Sequence, residues 1–339
     1  MKPLRIISNA ITPCNILNEV YVVELLDIEN ILSHYCINKY LSCEKYGADN
    51  NQPKYKIQTF TNEYFLKMSL RKYSNPIAIN NRYYVMNKLT QSGIKVPVII
   101  PTKENKNYIL NNSYCIELFE WLDIQCYSTK TFKQFIEDIS NIFLVYDKIE
   151  IPLYILPKTK KYFNNVIINE CANPEMYNYK NISNYKLYVT ASDILIIEEA
   201  INILKNNYFL LKDEISKLPL VYIHNDFAKS NIVYCKDKIC VLDFDSTRLG
   251  FRIEDIAILF YDICIDINDD SKIIPNSIYY IEKMREIYPY INIDIMLFFT
   301  IKRLINIISS QLEEFNLNRK PLLLQGYLNG IRTIVEKII

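Results

Sequence analysis

One stretch constrains the fold of this 339-residue chain more than any other: HNDFAKSNIVYCKDKICVLDFD, residues 224–245. Two short apolar runs, NIVYC and KICVLDF, flank a polar Lys-Asp pair, and that pattern predicts a small β-hairpin. A hairpin returns the chain close to its start. It would therefore carry Asp243, twelve residues beyond Asn231 in sequence, back toward Asn231 and toward Asp226 on the loop before it. One of only two histidines in the chain, His224, opens the segment. Taken singly, each of these acids or amides reads as a turn or cap residue, and a lone histidine reads as a satisfied core residue. Their joint spacing across a predicted hairpin points to a site.

Half of the residues are hydrophobic and 23% are charged, a composition that supports a globular core and excludes a disordered chain. The length suits two modest domains or one large two-lobed unit. A net charge of +1 gives no reason to expect nucleic acid or an anionic membrane as a partner. No apolar run approaches the ~18 residues of a bilayer span, and the opening MKPLRIISNAITPCNIL lacks a secretory pattern. Nine cysteines occur without a C-x-x-C pair or a companion histidine cluster, so a zinc site is not expected and reduced cytoplasmic thiols are.

Along the chain, apolar spacing predicts a helix over 16–46, followed by the break GADNNQP. KYKIQTF and EYFLKMSL, joined through TNE, predict a hairpin. PIAINNRYYVMNKLTQSG predicts a helix ending at Gly93, and IKVPVIIPT and SYCIELFEW read as strands. Long amphipathic segments follow at 129–148, 191–217 and 293–315. The expected fold class is α+β and bilobal: an N-terminal lobe over 1–118, with a helical lead-in, an antiparallel sheet and one packed helix, then a mainly helical C-terminal lobe over 119–339 that carries the hairpin.

The chemistry that suits these residues is phosphoryl transfer. It needs a carboxylate to orient an attacking hydroxyl and take its proton, and hard oxygen ligands to hold Mg²⁺ against phosphates. The pattern H-x-D-x-x-x-x-N followed by D-F matches the catalytic-loop and metal-loop pair of kinases. The segment resembles the aminoglycoside-phosphotransferase and choline-kinase-like superfamily. The order of YKIQT, YFLK, LTQSGIKVP, IELFEWLDIQ, the H-x-D loop and the DFD segment with EDIA further resembles the CotS family of spore coat proteins. That resemblance covers roughly 40–265 and is strongest at 224–257. It implies a kinase-like fold in which Asp226 is the catalytic base, Asn231 and Asp243 are Mg²⁺ ligands, and His224 and Asp255 brace the loop. It implies that Lys67 reaches the phosphates of ATP, and that the backbone of IELFEW, including Glu117, Leu118 and Phe119, meets the adenine as an inter-lobe hinge.

The pattern is departed from twice. There is no glycine-rich nucleotide loop, since Gly47 stands alone among five glycines in the chain. No acid occurs between Lys67 and Glu104, so the helix expected to supply a glutamate partner for Lys67 supplies none; Asn80, Asn81 or Asp243 are the substitutes within reach. Asp245, where protein kinases have glycine, reads equally as a metal ligand or a cap, and Lys229 as a solvated loop lysine. Three functions remain open. The first is an ATP-dependent phosphotransferase acting on a small hydroxyl- or amine-bearing acceptor. The second is a catalytically weak or inactive kinase-fold component of a spore coat, partnered by other coat proteins and deposited on the spore. The third is a metal-dependent hydrolase, which explains the acids but not Lys67.

Overall fold

The computed structural model describes residues 28–37, 39–46, 52–70, 75–124, 130–152, 190–235, 238–265, 267, 269–318 and 324–337. Its N-terminal part begins with a short helix, α1 (Ile28–Ser33), and a strand, β1 (Ser42–Lys45). The helix expected over 16–46 is therefore corrected: residues 16–27 lie outside the described residues, Cys36 turns the chain with a φ of 61°, and 42–45 pair with a neighbouring strand. Helical spacing of apolar residues could not register that pairing, which is non-local.

Strands β2 (Lys54–Gln58) and β3 (Glu63–Leu70) form the expected hairpin, in register Gln58↔Glu63. Thr59 closes it, its hydroxyl donating to the Asn62 carbonyl at 2.8 Å and accepting from the Asn62 N–H at 3.0 Å. Helix α2 (Pro76–Gln91) follows. Asn75 caps it by accepting from the Ile77 N–H at 2.9 Å, and Pro76 occupies a first-turn position where no N–H is needed. Gly93, with φ 83°, ends the turn as the sequence predicts. The run IKVPVIIPT is extended but forms only isolated bridges, Lys95↔Cys240 and Ile99↔Phe119, because Pro97 and Pro101 remove ladder donors. Strands β4 (Ile109–Leu110) and β5 (Tyr114–Glu120) complete a five-stranded antiparallel sheet of order β1-β2-β3-β5-β4. β5 continues past residue 118 to Glu120.

The sheet has two apolar faces, and strand alternation decides what each receives. Leu66, Met68, Ile116 and Leu118 pack with Ile31, Leu32 and Tyr35 of the α1 segment. The intervening residues, Phe65 and Lys67 on β3 and Glu117 and Phe119 on β5, necessarily face the other way, toward α2 and the cleft. Lys67 and Glu117 are direct partners in the β3–β5 register.

The C-terminal part is mainly helical. Helices α3 (Phe132–Tyr146) and α4 (Ala191–Ile215) each begin with a capping box, Thr131 with Gln134 and Thr190 with Asp193. Strand β6 (Leu220–Ile223) pairs with β9 (Arg248–Phe251), and between them in sequence β7 (Ile232–Cys235) pairs with β8 (Lys238–Val241). The predicted hairpin thus forms, while its Lys-Asp turn at 236–237 lies outside the described residues. Helices α5 (Arg252–Phe260), α6 (Ile273–Ile287), α7 (Ile293–Asn318) and α8 (Leu324–Lys337) follow. α7 packs on α4, α5 and α8 around a core that includes Ile256, Phe260, Phe298 and Ile301. The Val241 N–H donates to the Lys95 carbonyl at 3.0 Å, which ties the hairpin to the segment leaving α2. Among the described residues, no helix is long and apolar enough to cross a membrane.

Candidate active site

The β7–β8 register sets Ile232 opposite Val241 and so brings Asn231 beside Leu242. The Leu242 N–H donates to the Asn231 carbonyl at 2.8 Å. The Leu242 carbonyl accepts from Nε2 of His224 at 2.9 Å, which fixes the proton on that nitrogen, since a carbonyl only accepts. His224 is fully buried, its ring edge-on to Phe227 and Phe244, and its Nδ1 has no hydrogen-bond partner. It is a brace between two loops, with no access to a reacting group. The Asn231 amide nitrogen donates to the Asp226 carbonyl at 2.9 Å and to its carboxylate Oδ2 at 3.0 Å. Asp226, Asn231 and the Leu242–Asp243 peptide therefore form one contiguous group.

Asp255, at the start of α5, fixes the loop from below. Its Oδ2 accepts from the His224 N–H at 2.8 Å and its Oδ1 from the Asn225 N–H at 2.7 Å. Asn225 takes a φ of 62°, a left-handed conformation that costs energy for a non-glycine residue and that these bonds hold in place. The Arg252 Nη1 donates to the same carboxylate at 2.7 Å, its Nε to Asp147 at 2.9 Å, and its Nη2 to the Tyr222 carbonyl at 2.6 Å. Burial raises the Asp255 carboxyl above the usual carboxylate range, against the opposing pull of Arg252 and the two N–H donors.

Asp243 also sits in the left-handed region, at φ 53° and ψ 69°. Its Oδ1 accepts from Lys67 Nζ at 3.0 Å, across 176 residues of sequence. Lys67 is 5% exposed and reaches Asp245 as well, at 2.6 Å. Burial alone would lower the lysine pKa, but Asp245 and Asp243 more than offset it and the net shift is upward. Burial likewise pushes Asp243 up, and Lys67 outweighs that and holds it below the usual carboxylate range. The partner of Lys67 thus comes from the loop after β8. Neither Asn80 nor Asn81 bonds it.

Lys67, Asn231, Asp243 and Asp245 line a cavity of about 470 Å³ between the sheet and the hairpin. Tyr46, Phe65, Phe119 and Trp121 line it as well. Phe119 reaches the cavity, but Glu117 and Leu118 do not: they are 1% and 0% exposed, and their positions on β5 are paired with Lys67 and Leu66. The chain borders the cavity further on, from Phe119 to Ile124. The offset arises because β5 stays paired to β3 as far as Glu120.

Two arginines at the site were not singled out from the sequence. Arg82 of α2 bonds both Glu117 and Asp245. Arg82 is buried among Ile79, Tyr83 and Met86, where a charge needs a partner, and only the tertiary structure shows that it has one. Arg303 of α7 donates to Oδ1 of Asp226 at 3.1 Å, and nothing local in IKRLINII marks it. Among the described residues, no group of three or more His, Cys, Asp or Glu side chains forms a metal cage. An Asn–Asp pair completed by phosphate oxygens and water is the kind of site Mg²⁺ accepts.

The two-lobed arrangement defines the class. The fold is kinase-like, matching spectinomycin phosphotransferase in complex with ADP and spectinomycin (TM-score 0.56, 17% identity, 92% of this chain and 93% of the other). It also matches amicoumacin kinase with AMP-PNP and Ca²⁺ (0.59, 14%, 91% and 92%) and an aminopropanol kinase associated with a microcompartment (0.58, 14%, 91% and 93%). At these identities the likeness is one of fold. Residues 188–272, which contain the 224–231 loop, the β7–β8 hairpin and Asp255, match the model of the phosphotransferase enzyme family. No curated protein matches the sequence.

Proposed function

We propose that the chain is an ATP-dependent phosphotransferase acting on a small-molecule hydroxyl or amine acceptor. The observation that carries this reading is the convergence of Asn231, Asp243 and Lys67 on one cavity that aromatic residues also line, with Asp226 bonded to Asn231 beside it. Phe119, Trp121 and the Glu120–Leu122 backbone would hold the adenine, and Lys67 would turn from Asp243 to the phosphates. The Asn231 amide nitrogen is committed to Asp226, which leaves its oxygen, with Asp243, to ligate Mg²⁺. A bound Mg²⁺ supplies charge neutralisation on the phosphates. Asp226 orients the acceptor and takes its proton as the new P–O or P–N bond forms and the bond to ADP breaks. Asp255 and His224 act only by holding the loop.

The resemblance to CotS proteins supports a second reading, a catalytically weak kinase-fold component of a spore coat. Its specific support is that α2 offers Lys67 no carboxylate, so the lysine rests on the metal-ligand residue itself. Differential scanning of the purified chain against ATP, with and without Mg²⁺, separates the two. The phosphotransferase reading expects stabilisation that rises with nucleotide, requires Mg²⁺ and vanishes in Asp243→Asn. A flat titration to millimolar ATP favours the coat component.

A further inference from the structure

The cavity lining includes a cation that the proposed chemistry does not use. Arg82 is 8% exposed in the middle of α2. Its Nη1 donates to Oδ1 of Asp245 and its Nη2 to Oε1 of Glu117, while Glu117 also accepts from the Tyr83 hydroxyl. The second oxygen of Asp245 meets Lys67 at 2.6 Å. Lys67 is therefore held by two carboxylates, Asp243 and Asp245, and must leave both to reach a phosphate. Arg82 is the other cation on Asp245, held on the carboxylate's other oxygen, so Asp245 keeps a counter-charge when Lys67 leaves.

We propose that Arg82 is a positioning residue that keeps Asp245 from capturing Lys67. The inference rests on the phosphotransferase reading and deepens it. With Arg82 in place, Asp245 stays neutralised when Lys67 turns to a nucleotide. Without it, Asp245 would be an unpaired anion that retains the lysine and repels incoming phosphates. Only arginine suits the post, because its planar fork spans two carboxylates on different elements, β5 and the loop after β8, where an ammonium is a single point. Glu117 holds the far side of the fork and so keeps Arg82 aimed at Asp245.

The test uses Mg·ATP affinity, measured by calorimetry on the full chain. Arg82→Gln with Glu117→Gln removes both partners of the buried pair together, so neither is left as an uncompensated buried charge. The expected result is an affinity at least about fivefold weaker than wild type. Adding Asp245→Asn to that double variant frees Lys67 and is expected to restore affinity to within about twofold of wild type. Should the double variant not fold, Arg82→Lys with and without Asp245→Asn makes the same comparison. A double variant that binds like wild type overturns the proposal, and so does a triple variant no better than the double. Failure of the wild-type chain to bind Mg·ATP overturns the phosphotransferase reading itself, which distinguishes the two failures.

Discussion

Replacing Asp255 with alanine tests how the catalytic loop is held. Asp255 is fully buried and accepts three charge-assisted bonds, from the N–H groups of His224 and Asn225 and from Arg252. Alanine leaves Arg252, 1% exposed, short of one of its two carboxylates. Breaking a buried ion pair from one side costs about 3–5 kcal/mol, and each orphaned buried N–H costs about 1–3 kcal/mol. The terms overlap because one carboxylate serves all three donors, so we expect about 4–6 kcal/mol against a typical total of about 5–15 kcal/mol. Urea denaturation followed by far-ultraviolet circular dichroism reads this as a large fall in midpoint. A companion variant, Arg252→Met with Asp255→Leu, separates the pair from the brace. An apolar replacement of a buried ion pair is often close to neutral, so the loss that remains, about 2 kcal/mol or more, belongs to the two loop N–H groups together with Asp147 and the Tyr222 carbonyl, which Arg252 also releases. A loss under about 1 kcal/mol in Asp255→Ala would refute the reasoning, as would a companion variant as stable as wild type.

Other consequences follow from the same geometry. Asp226→Asn should leave Mg·ATP affinity within about twofold while lowering ATP turnover, with water or an acceptor as nucleophile, by roughly 10²–10⁴-fold; equal losses in both would contradict its role as base. Arg303→Ala breaks a half-exposed pair with Asp226, 30% and 39% exposed, and should change stability by less than about 1 kcal/mol while turnover falls; a stability loss with unchanged turnover would make Arg303 a packing residue. Asp243 has its folded pKa depressed by Lys67 against the upward push of burial. Its pairing therefore stabilises the fold above the unfolded pKa near about 4 and is lost as pH falls through the folded value. Urea midpoints of wild type and Asp243→Asn should converge below that range, and parallel profiles would contradict the pairing.

Much of the site was legible in the sequence because it is local. The hairpin from 232 to 241 and the loop before it span few residues, and period-two alternation and turn chemistry report such contacts directly. Lys67 and Phe119 were legible by their order along the chain. The partner of Lys67 was not, since Asp243 and Asp245 lie 176 and 178 residues away and no periodicity links them. Arg82 was hidden for a related reason: a charged residue on a buried helical stripe looks like an error until the tertiary partners, Glu117 and Asp245, are known. The lead-in around 28–46 misled because its apolar spacing suits a helix, while its C-terminal third is an edge strand specified by β2.

In the proposed site, Asn231 and Asp243 together hold a divalent cation on a nucleotide. Electron paramagnetic resonance of Mn²⁺ with ATP tests it most directly, because free Mn²⁺ gives a sharp signal that binding broadens. The wild-type chain is expected to broaden the signal beyond that of Mn²⁺ with ATP alone, and not to broaden it in the absence of ATP, whereas Asp243→Asn leaves the signal of Mn²⁺ with ATP alone unchanged. Added broadening that persists in Asp243→Asn, or none in the wild-type chain, would contradict it.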